Sequence, residues 1–455
     1  MNTIVIDPSQ ALGPIKPMNA VNNGPLVARK DQTRGNLESF KALHIPFARV
    51  HDAAFCSAYG GEHTVDISAV FPRFEADPLD PASYDFTLTD HYMEAILLGG
   101  AEPFFRLGSK IEHQPKKYGI LPPSDFRKWA VVCEHIVRHL NEGWADGHHY
   151  GIRHWEIWNE PDLHWQPEIP LEDKKTWTGT PEQFFALFKI AARHLKKCFP
   201  DLKIGGPAVC SPTGMDGWTP RFLDAMAHNP EGRVPMDFFS WHTYAREPKW
   251  VAHNAREVRR MLDEAGYTAT ESHCNEWNYV RGWTDDFVYS IKSIIGIKGA
   301  AFQAAVMADC QNAPLDMLMY YDARPCAFNG IWDFYTLAKL KGWYALDAFR
   351  ALADLGRHVR TDIHEDGDGG ELHAVAAKCR KNGRRRAALV ARFVDDDAVT
   401  RPKTVALRLA SGTWGAHPRV RILDAKRDLA EVPARVKGDT LRLSLAPLSA
   451  ALVEW

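Results

Sequence analysis

The segment His154-Trp155-Glu156-Ile157-Trp158-Asn159-Glu160-Pro161 carries a carboxylate at the end of a short apolar run. Side chains alternate along a β-strand, so Trp158 and Glu160 are expected on one face and Asn159 on the other. Pro161 cannot donate to a sheet ladder, which predicts that the strand ends directly after Glu160. A carboxyl group beside tryptophans is partly desolvated, which raises its pKa and suits a general acid.

A second run, Ser272-His273-Cys274-Asn275-Glu276-Trp277-Asn278, also brings a carboxylate next to an aromatic residue. Glu160 and Glu276 are 116 residues apart, which leaves room for three strand–helix units. If Glu160 ends a fourth strand, Glu276 is therefore expected to end the seventh. Two inward carboxylates on one barrel rim are the pair that glycoside hydrolysis requires. Their separation decides between retention, at about 5–5.5 Å, and inversion, at about 6.5–9.5 Å.

The elements that must position these carboxylates are short apolar runs that alternate with longer helical patterns. Two strong helices are predicted over residues 125–143 and 181–199, each with a capping residue at its start. Eight strands are predicted, one near 15–20 and the others at 45–51, 101–108, 152–160, 202–209, 236–244, 270–277 and 317–322. This order predicts an α/β fold, a (β/α)8 TIM barrel, over residues 10–348. A doubly wound open sheet is the alternative, but no glycine-rich phosphate loop follows an early strand.

The pattern changes to period-two alternation in the last hundred residues. Asn382-Gly383 lies between two such runs and is a typical two-residue hairpin turn. We therefore expect residues 349–455 to form a C-terminal antiparallel β-sandwich domain. The β-like residues 3–7 precede the barrel, so residues 1–9 are expected to add a strand to that domain.

Composition excludes several classes of protein. Hydrophobic residues make up 45% of the 455 residues, and the formal net charge is −2, which disfavours nucleic-acid and anionic membrane partners. No run of about 18 apolar residues occurs, and no signal peptide is visible, so a cytoplasmic location is expected. The eight cysteines form no C-x-x-C pair, and His148-His149 has the setting of a surface loop. The sequence thus predicts no metal and no cofactor.

These motifs resemble those of the retaining glycosidases of clan A, and most closely glycoside hydrolase family 39, the β-xylosidase and α-L-iduronidase family. The resemblance rests on Trp-Asn-Glu-Pro and on Phe-Ala-Arg-Val-His at 47–51, Gly-Gly-Pro-Ala-Val at 205–209 and Asp-Phe-Phe-Ser-Trp-His-Thr-Tyr at 237–244. It covers most of the barrel and is weaker over the last hundred residues. Family members pair a barrel with a β-sandwich.

The resemblance implies a role for seven residues. Glu160 corresponds to the acid/base and Glu276 to the nucleophile, while Asn159 corresponds to the residue that contacts the sugar 2-hydroxyl. The remaining positions implied to bind sugar or hold the nucleophile are His242, Tyr244, Arg49 and His51. Three of these have a simpler alternative, a buried ion pair for Arg49 and a core position for His51 and His242.

The sequence departs from the family after the eighth predicted strand. Bacterial β-xylosidases of the family carry an acidic pair there that binds the terminal sugar, whereas this chain has Tyr320-Tyr321-Asp322-Ala323-Arg324-Pro325. Arg324 could recognise an anionic or differently configured sugar, or pair with Asp322. Trp277 and Trp332 are further candidates, as aromatic platforms on which a sugar stacks.

The predicted function is that of a retaining, β-xylosidase-like glycoside hydrolase. It would cleave non-reducing terminal glycosides of plant- or polysaccharide-derived oligosaccharides by double displacement, and a homo-oligomer is possible. One alternative is a glycosidase of the same clan acting on an arabinoside, galactoside, glucoside or uronide. Another is a non-catalytic carbohydrate-binding protein on this scaffold, which the presence of both carboxylates disfavours.

Overall fold

The computed structural model describes residues 2–28, 34–53, 63–367 and 369–455. Within these ranges the chain forms a closed barrel of eight strands and a separate ten-stranded sheet. The predicted barrel and C-terminal β domain are therefore confirmed.

Each barrel strand pairs in parallel with its two neighbours, and the last strand closes on the first. The first strand lies slightly later than predicted, at Ala20. The barrel strands are β2 (Ala20–Asn22), β3 (Phe47–Arg49), β4 (Glu102–Leu107), β5 (His154–Ile157), β6 (Lys203–Val209), β7 (Phe238–Ala245), β8 (Glu271–Tyr279) and β9 (Met317–Tyr320).

The helices cover the outside of the barrel, and the two predicted ones begin and end close to the predicted residues. The Asp125 carboxylate accepts the backbone N–H of Arg127 and caps α4, which ends at Gly143 in the left-handed conformation. Thr180 and Gln183 form a reciprocal capping box at the start of α5. The helices are α1 (Leu37–Lys41), α2 (Ile67–Val70), α3 (Thr87–Leu98), α4 (Phe126–Glu142), α5 (Pro181–Cys198), α6 (Trp218–Ala227), α7 (Lys249–Glu264), α8 (Phe287–Ile294), α9 (Ile297–Asn312) and α10 (Lys341–Leu355).

The second sheet joins the N-terminal strand to nine strands from the last hundred residues. Its pairs are antiparallel except for one, in which β1 runs parallel to β13. In spatial order the sheet is β15-β14-β18-β12-β11-β10-β1-β13-β17-β16. The strands are β1 (Thr3–Pro14), β10 (Gly356–His364), β11 (Leu372–Cys379), β12 (Arg386–Phe393), β13 (Lys403–Leu409), β14 (Arg419–Leu423), β15 (Asp428–Val432), β16 (Arg435–Lys437), β17 (Thr440–Leu445) and β18 (Leu448–Glu454).

Helix α9 joins the two parts of the molecule. It is apolar or small on nearly all sides because it packs against β8 of the barrel and against β11 and β12 of the sheet. No single helix of the described residues is long and apolar enough to cross a membrane. The seven described cysteines are free thiols, and Cys56 lies outside the described residues.

Candidate active site

Strand β5 ends at Ile157, three residues earlier than predicted. Trp158 and Glu160 both have left-handed backbone conformations, with φ of 77° and 49°. The alternation of a strand therefore does not apply to them, and the prediction that Trp158 and Glu160 share a face is wrong. Such conformations cost free energy in non-glycine residues and are concentrated at functional sites.

This turn points the Trp158 side chain away from those of Asn159 and Glu160. Its ring packs outside the barrel against Trp129 and Trp177, and its Nε1 donates to the carbonyl of Thr176 at 2.9 Å. Asn159 and Glu160 instead both reach groups inside the barrel mouth. The turn therefore directs an amide and a carboxyl group to one place.

Glu276 lies within β8 and not at its end, which corrects the second strand prediction. The register of β8 shifts against β9 between Cys274 and Trp277, as it does against β7 between Trp241 and His242. A bulge of this kind re-aims the side chains that follow it. Asn275 and Glu276 consequently both make hydrogen bonds inside the barrel, although they are adjacent in the chain.

The turn after β5 and the bulge in β8 bring Glu160 and Glu276 together beside His242. One donor or acceptor atom from each of the three side chains lies within 4.8 Å of the other two. His242 Nδ1 is 2.7 Å from Glu160 Oε1 and 3.6 Å from Glu276 Oε2. The predicted pair thus meets across a gap that two reacting groups on one sugar can span.

Burial sets the protonation of the Glu160–His242 pair. It raises the pKa of Glu160 to about 7, against the opposing effect of the Arg49 charge. Burial also lowers the pKa of His242 to about 4, so the imidazole is neutral near pH 7. Glu160 therefore holds a proton in the range where a general acid needs one.

Arg49 is the hub of the buried network. It is fully buried, and its Nη1 donates to Glu276 Oε1 at 2.7 Å while its Nε donates to Glu156 Oε2 at 2.6 Å. Its Nη2 donates to Asn159 Oδ1 at 2.7 Å. Arg49 is thus both a buried ion pair and a group that holds Glu276, Glu156 and Asn159 in place.

Two further predicted residues contact Glu276. The Tyr244 hydroxyl donates to Glu276 Oε2 at 2.7 Å, and burial keeps the pKa of Tyr244 well above its usual value, so the hydroxyl retains its proton. His51 Nε2 lies 3.7 Å from Glu276 Oε1. Since Arg49 and Tyr244 each bond a different oxygen, the Glu276 carboxylate is held in one orientation.

The Asp322 and Arg324 side chains form a second cluster beside His51. Arg324 Nη1 lies 3.2 Å from Asp52 Oδ2, and its Nε lies 3.4 Å from Asp322 Oδ2. Lys110 Nζ also donates to Asp52, at 2.6 Å. Burial raises the pKa of Asp322 to about 6, against the effect of Arg324. Arg324 therefore pairs with two carboxylates, which the sequence left open.

Trp277 and Trp332 do not face the site, which corrects their assignment as sugar platforms. Both side chains are fully buried. Trp277 packs on Phe302 of α9, and Trp332 stacks on Phe40 of α1 at a centroid distance of 5.9 Å. A ring without exposed surface offers no face for a sugar. Trp277 directly follows Glu276 in β8, so strand alternation points its ring outward when Glu276 points inward.

Sequence reasoning missed the residues that position Arg49. Glu156 is fully buried and also accepts from Asn275, while Asn22 Oδ1 accepts from Arg49 Nη1 at 3.1 Å. A signal for Glu156 was present, because a charged residue within an apolar barrel strand requires a buried partner. Trp283 was also missed; the residue is 57% exposed, and its ring packs edge-on against Tyr244.

The Glu160–His242–Glu276 group has donor atoms that a metal ion could use. However, the Arg49 guanidinium already bonds Glu276 and brings a positive charge to the same place. The arrangement is therefore better suited to acid–base and nucleophilic chemistry than to cation binding.

The fold and site define a barrel protein with paired carboxylates at its mouth, and comparison with known proteins names its family. The model of the glycosyl hydrolases family 39 matches residues 62–312, more than half of the chain. The chain belongs to this family.

Two curated relatives are β-xylosidases. The one from Caldicellulosiruptor saccharolyticus is 32% identical over 246 residues, which cover 47% of this chain and 46% of the relative. The one from Geobacillus stearothermophilus is 27% identical over 249 residues, which cover 47% of this chain and 44% of the relative. The match thus spans less than half the length of each.

Solved structures show the same fold over the whole chain. A glucosidase from Croceicoccus marinus superposes with a TM-score of 0.76 at 22% identity and covers 100% of this chain and 98% of its own. A monomeric β-xylosidase from Caulobacter crescentus superposes with a TM-score of 0.68 at 18% identity and covers 100% and 99%. At these identities the likeness concerns the fold alone.

Proposed function

We propose that the protein is a retaining glycoside hydrolase that releases the terminal sugar from a β-xyloside-like substrate. The observation that carries this proposal is the approach of Glu160 and Glu276 to within 4.8 Å, atom to atom, at the barrel mouth. An approach this close fits the retaining arrangement, with carboxyl groups about 5–5.5 Å apart, better than the inverting one, at about 6.5–9.5 Å. Membership of family 39 and the β-xylosidase relatives support the same reaction.

In the first step the Glu276 carboxylate attacks the anomeric carbon. The bond from that carbon to the leaving oxygen breaks, and this oxygen takes the proton of Glu160. The product is a glycosyl ester on Glu276 and an ionised Glu160. Glu160 can supply this proton near neutral pH because its pKa is raised to about 7.

In the second step a water molecule attacks the anomeric carbon of the ester. Glu160 removes the water proton, and the bond to Glu276 breaks, which restores both carboxyl groups. Before the first step Arg49 and Tyr244 each bond one oxygen of Glu276, which orients the carboxylate for its attack. Two displacements at one carbon return the original anomeric configuration.

A second candidate function concerns the sugar. The acidic pair expected from bacterial β-xylosidases would be free to bind sugar hydroxyls. In this chain Arg324 already pairs with both Asp322 and Asp52. Such a site offers fewer free acceptors to sugar hydroxyls. This observation favours a substrate whose terminal sugar is not xylose, such as an arabinoside, galactoside, glucoside or uronide.

The proposal is tested with a panel of nitrophenyl glycosides and NMR of the first-formed anomer. We expect cleavage of at least one β-configured glycoside, with the β-anomer of the free sugar appearing first. Appearance of the α-anomer first would contradict retention. Binding of oligosaccharides without cleavage of any member of the panel would favour a carbohydrate-binding protein instead.

A further inference from the structure

Three metal-ligating side chains from separate elements meet away from the carboxylate pair. Asp90 comes from α3, His139 from the last turn of α4, and His148 from the connection that leads to β5. His139 Nε2 lies 3.0 Å from one oxygen of Asp90, and His148 Nε2 lies 3.4 Å from the other. One ligand atom from each residue lies within 4.8 Å of the other two. Tetrahedral ligands of zinc, at about 2.0–2.1 Å, lie roughly 3.4 Å apart.

The tautomer of His139 is set by the backbone. Its Nδ1 lies 2.9 Å from the carbonyl oxygen of Trp144, which can only accept, so Nδ1 carries the proton. The Nε2 lone pair of a neutral His139 is then free to bind an ion. A ligating histidine usually donates its other ring N–H to a carbonyl or carboxylate in this manner. The ring is also clamped by stacking on Phe86, with 3.6 Å between centroids.

The backbone of the connection at residues 143–150 packs tightly against His139. The backbone N–H of His148 donates to the His139 carbonyl at 2.6 Å, and Ala145 and Asp146 both adopt left-handed conformations. Gly147 has no space for a side chain, since a Cβ there would collide with the carbonyl of His139. This packing fixes the position of His148 relative to the other two ligands.

Electrostatics favour this cluster over the other surface cluster with metal ligands. Glu134, His194 and Cys198 also lie within 4.8 Å of one another, but Arg138 pairs with Glu134 at 2.8 Å and would repel a cation. Among the described residues, the ion pairs of Asp90 are with the two histidines only. An incoming ion at Asp90 therefore does not have to displace an arginine.

We propose that Asp90, His139 and His148 form a binding site for a divalent transition-metal ion of the zinc class. Two imidazole nitrogens and one carboxylate oxygen suit such ions, whereas calcium and magnesium prefer sites made of oxygen. Three protein ligands leave one tetrahedral position for water. The bound ion joins α3, α4 and the connection to β5, so its effect is on stability and not on the sugar chemistry.

The test uses the full-length protein, stripped with a chelator and titrated with zinc chloride alone. We expect one zinc per chain at this site by mass spectrometry of the dialysed protein. The expected rise in melting temperature is about 3 °C at a free zinc concentration roughly 100 times Kd, for a chain of this size. Replacement of zinc by Co²⁺ is expected to give the visible absorption of a tetrahedral site, and Mg²⁺ is expected to give neither effect.

The decisive variants are Asp90→Asn and His148→Gln, which change partly exposed ligands and preserve the packing of His139. Each is expected to lower zinc affinity at least tenfold and to abolish the rise in melting temperature. The matched control is His149→Gln, since His149 is the adjacent histidine and faces the Asn141 carbonyl instead. It is expected to bind zinc as the unmodified chain does.

Two more variants separate this site from the other clusters. His194→Ala and Glu160→Gln remove a ligand from the surface cluster with Cys198 and from the carboxylate pair, and both are expected to keep the zinc effect. If zinc binding disappears in either of them but persists in Asp90→Asn and His148→Gln, the proposal is wrong. It is equally wrong if the stripped protein binds no zinc and shows no change in melting temperature.

Discussion

His242 Nδ1 lies 2.7 Å from Glu160 Oε1, and both groups are buried at the mouth of the barrel. Burial drives the two groups toward their neutral forms, because it raises the pKa of an acid and lowers that of a base. The pair is therefore a neutral acid beside a neutral imidazole, next to the ionisable partner Glu276. This relationship leads to predictions about each carboxylate and about pH.

Glu276→Ala is expected to abolish turnover on every substrate, by a factor on the order of 10⁵ or more, as for the loss of other catalytic nucleophiles. No other described carboxylate contacts both Arg49 and Tyr244, so none can replace it. Steady-state kinetics on nitrophenyl glycosides measures the effect. The matched control is Glu271→Gln on the same strand, where Glu271 pairs with Lys203, and it should remain active. Residual activity of more than a few per cent in Glu276→Ala would contradict the assignment.

Glu160→Ala is expected to depend on the leaving group. A poor leaving group needs the proton of Glu160, so an unactivated oligosaccharide should be cleaved about 10²–10⁴-fold more slowly. Dinitrophenolate leaves without protonation, so the first step on a dinitrophenyl glycoside should be nearly unaffected. Release of the enzyme-bound sugar should then become rate-limiting. Azide, which needs no general base, should accelerate this variant. Equal losses on both substrates would contradict an acid role.

The pH dependence follows from the raised pKa of Glu160, about 7. The acid form is present below that pH and is lost above it, so kcat/KM for an unactivated substrate should be level to about pH 7. It should then fall up to tenfold for each further pH unit. Glu160→Ala should lack this alkaline decline on an activated substrate. If the same decline persists in the variant, another group is responsible for it.

Glu156→Gln tests the residue that positions Arg49. Loss of this buried charge leaves the Arg49 Nε without an anionic partner, and breaking a buried pair typically costs about 3–5 kcal/mol. We expect urea unfolding to show a loss of about that size, with kcat lowered more than KM is raised. Glu264→Gln, which breaks a solvent-exposed pair with Arg260, should lower stability much less. Equal losses in the two variants would show that Glu156 has no special structural role.

Local patterns in the sequence were enough to predict the barrel and the β domain, and they also selected the two carboxylates as candidates. Alternating strand and helix patterns depend on residues near one another in the chain, as do the caps of α4 and α5. The Trp-Asn-Glu-Pro motif likewise identifies Glu160 as a candidate from the residues adjacent to it in the chain. These features require no knowledge of how distant segments pack.

Only the tertiary structure decided which side chains face the candidate site. A bulge in β8 turned the adjacent Asn275 and Glu276 both into the barrel, and a left-handed turn after β5 pointed Trp158 outward and Glu160 inward. The pairing of Arg324 with Asp52 and the meeting of Asp90 with His139 also join residues far apart in the chain. The physical reason is that backbone irregularities and long-range ion pairs arise from the packing of distant segments and leave no periodic trace in the sequence.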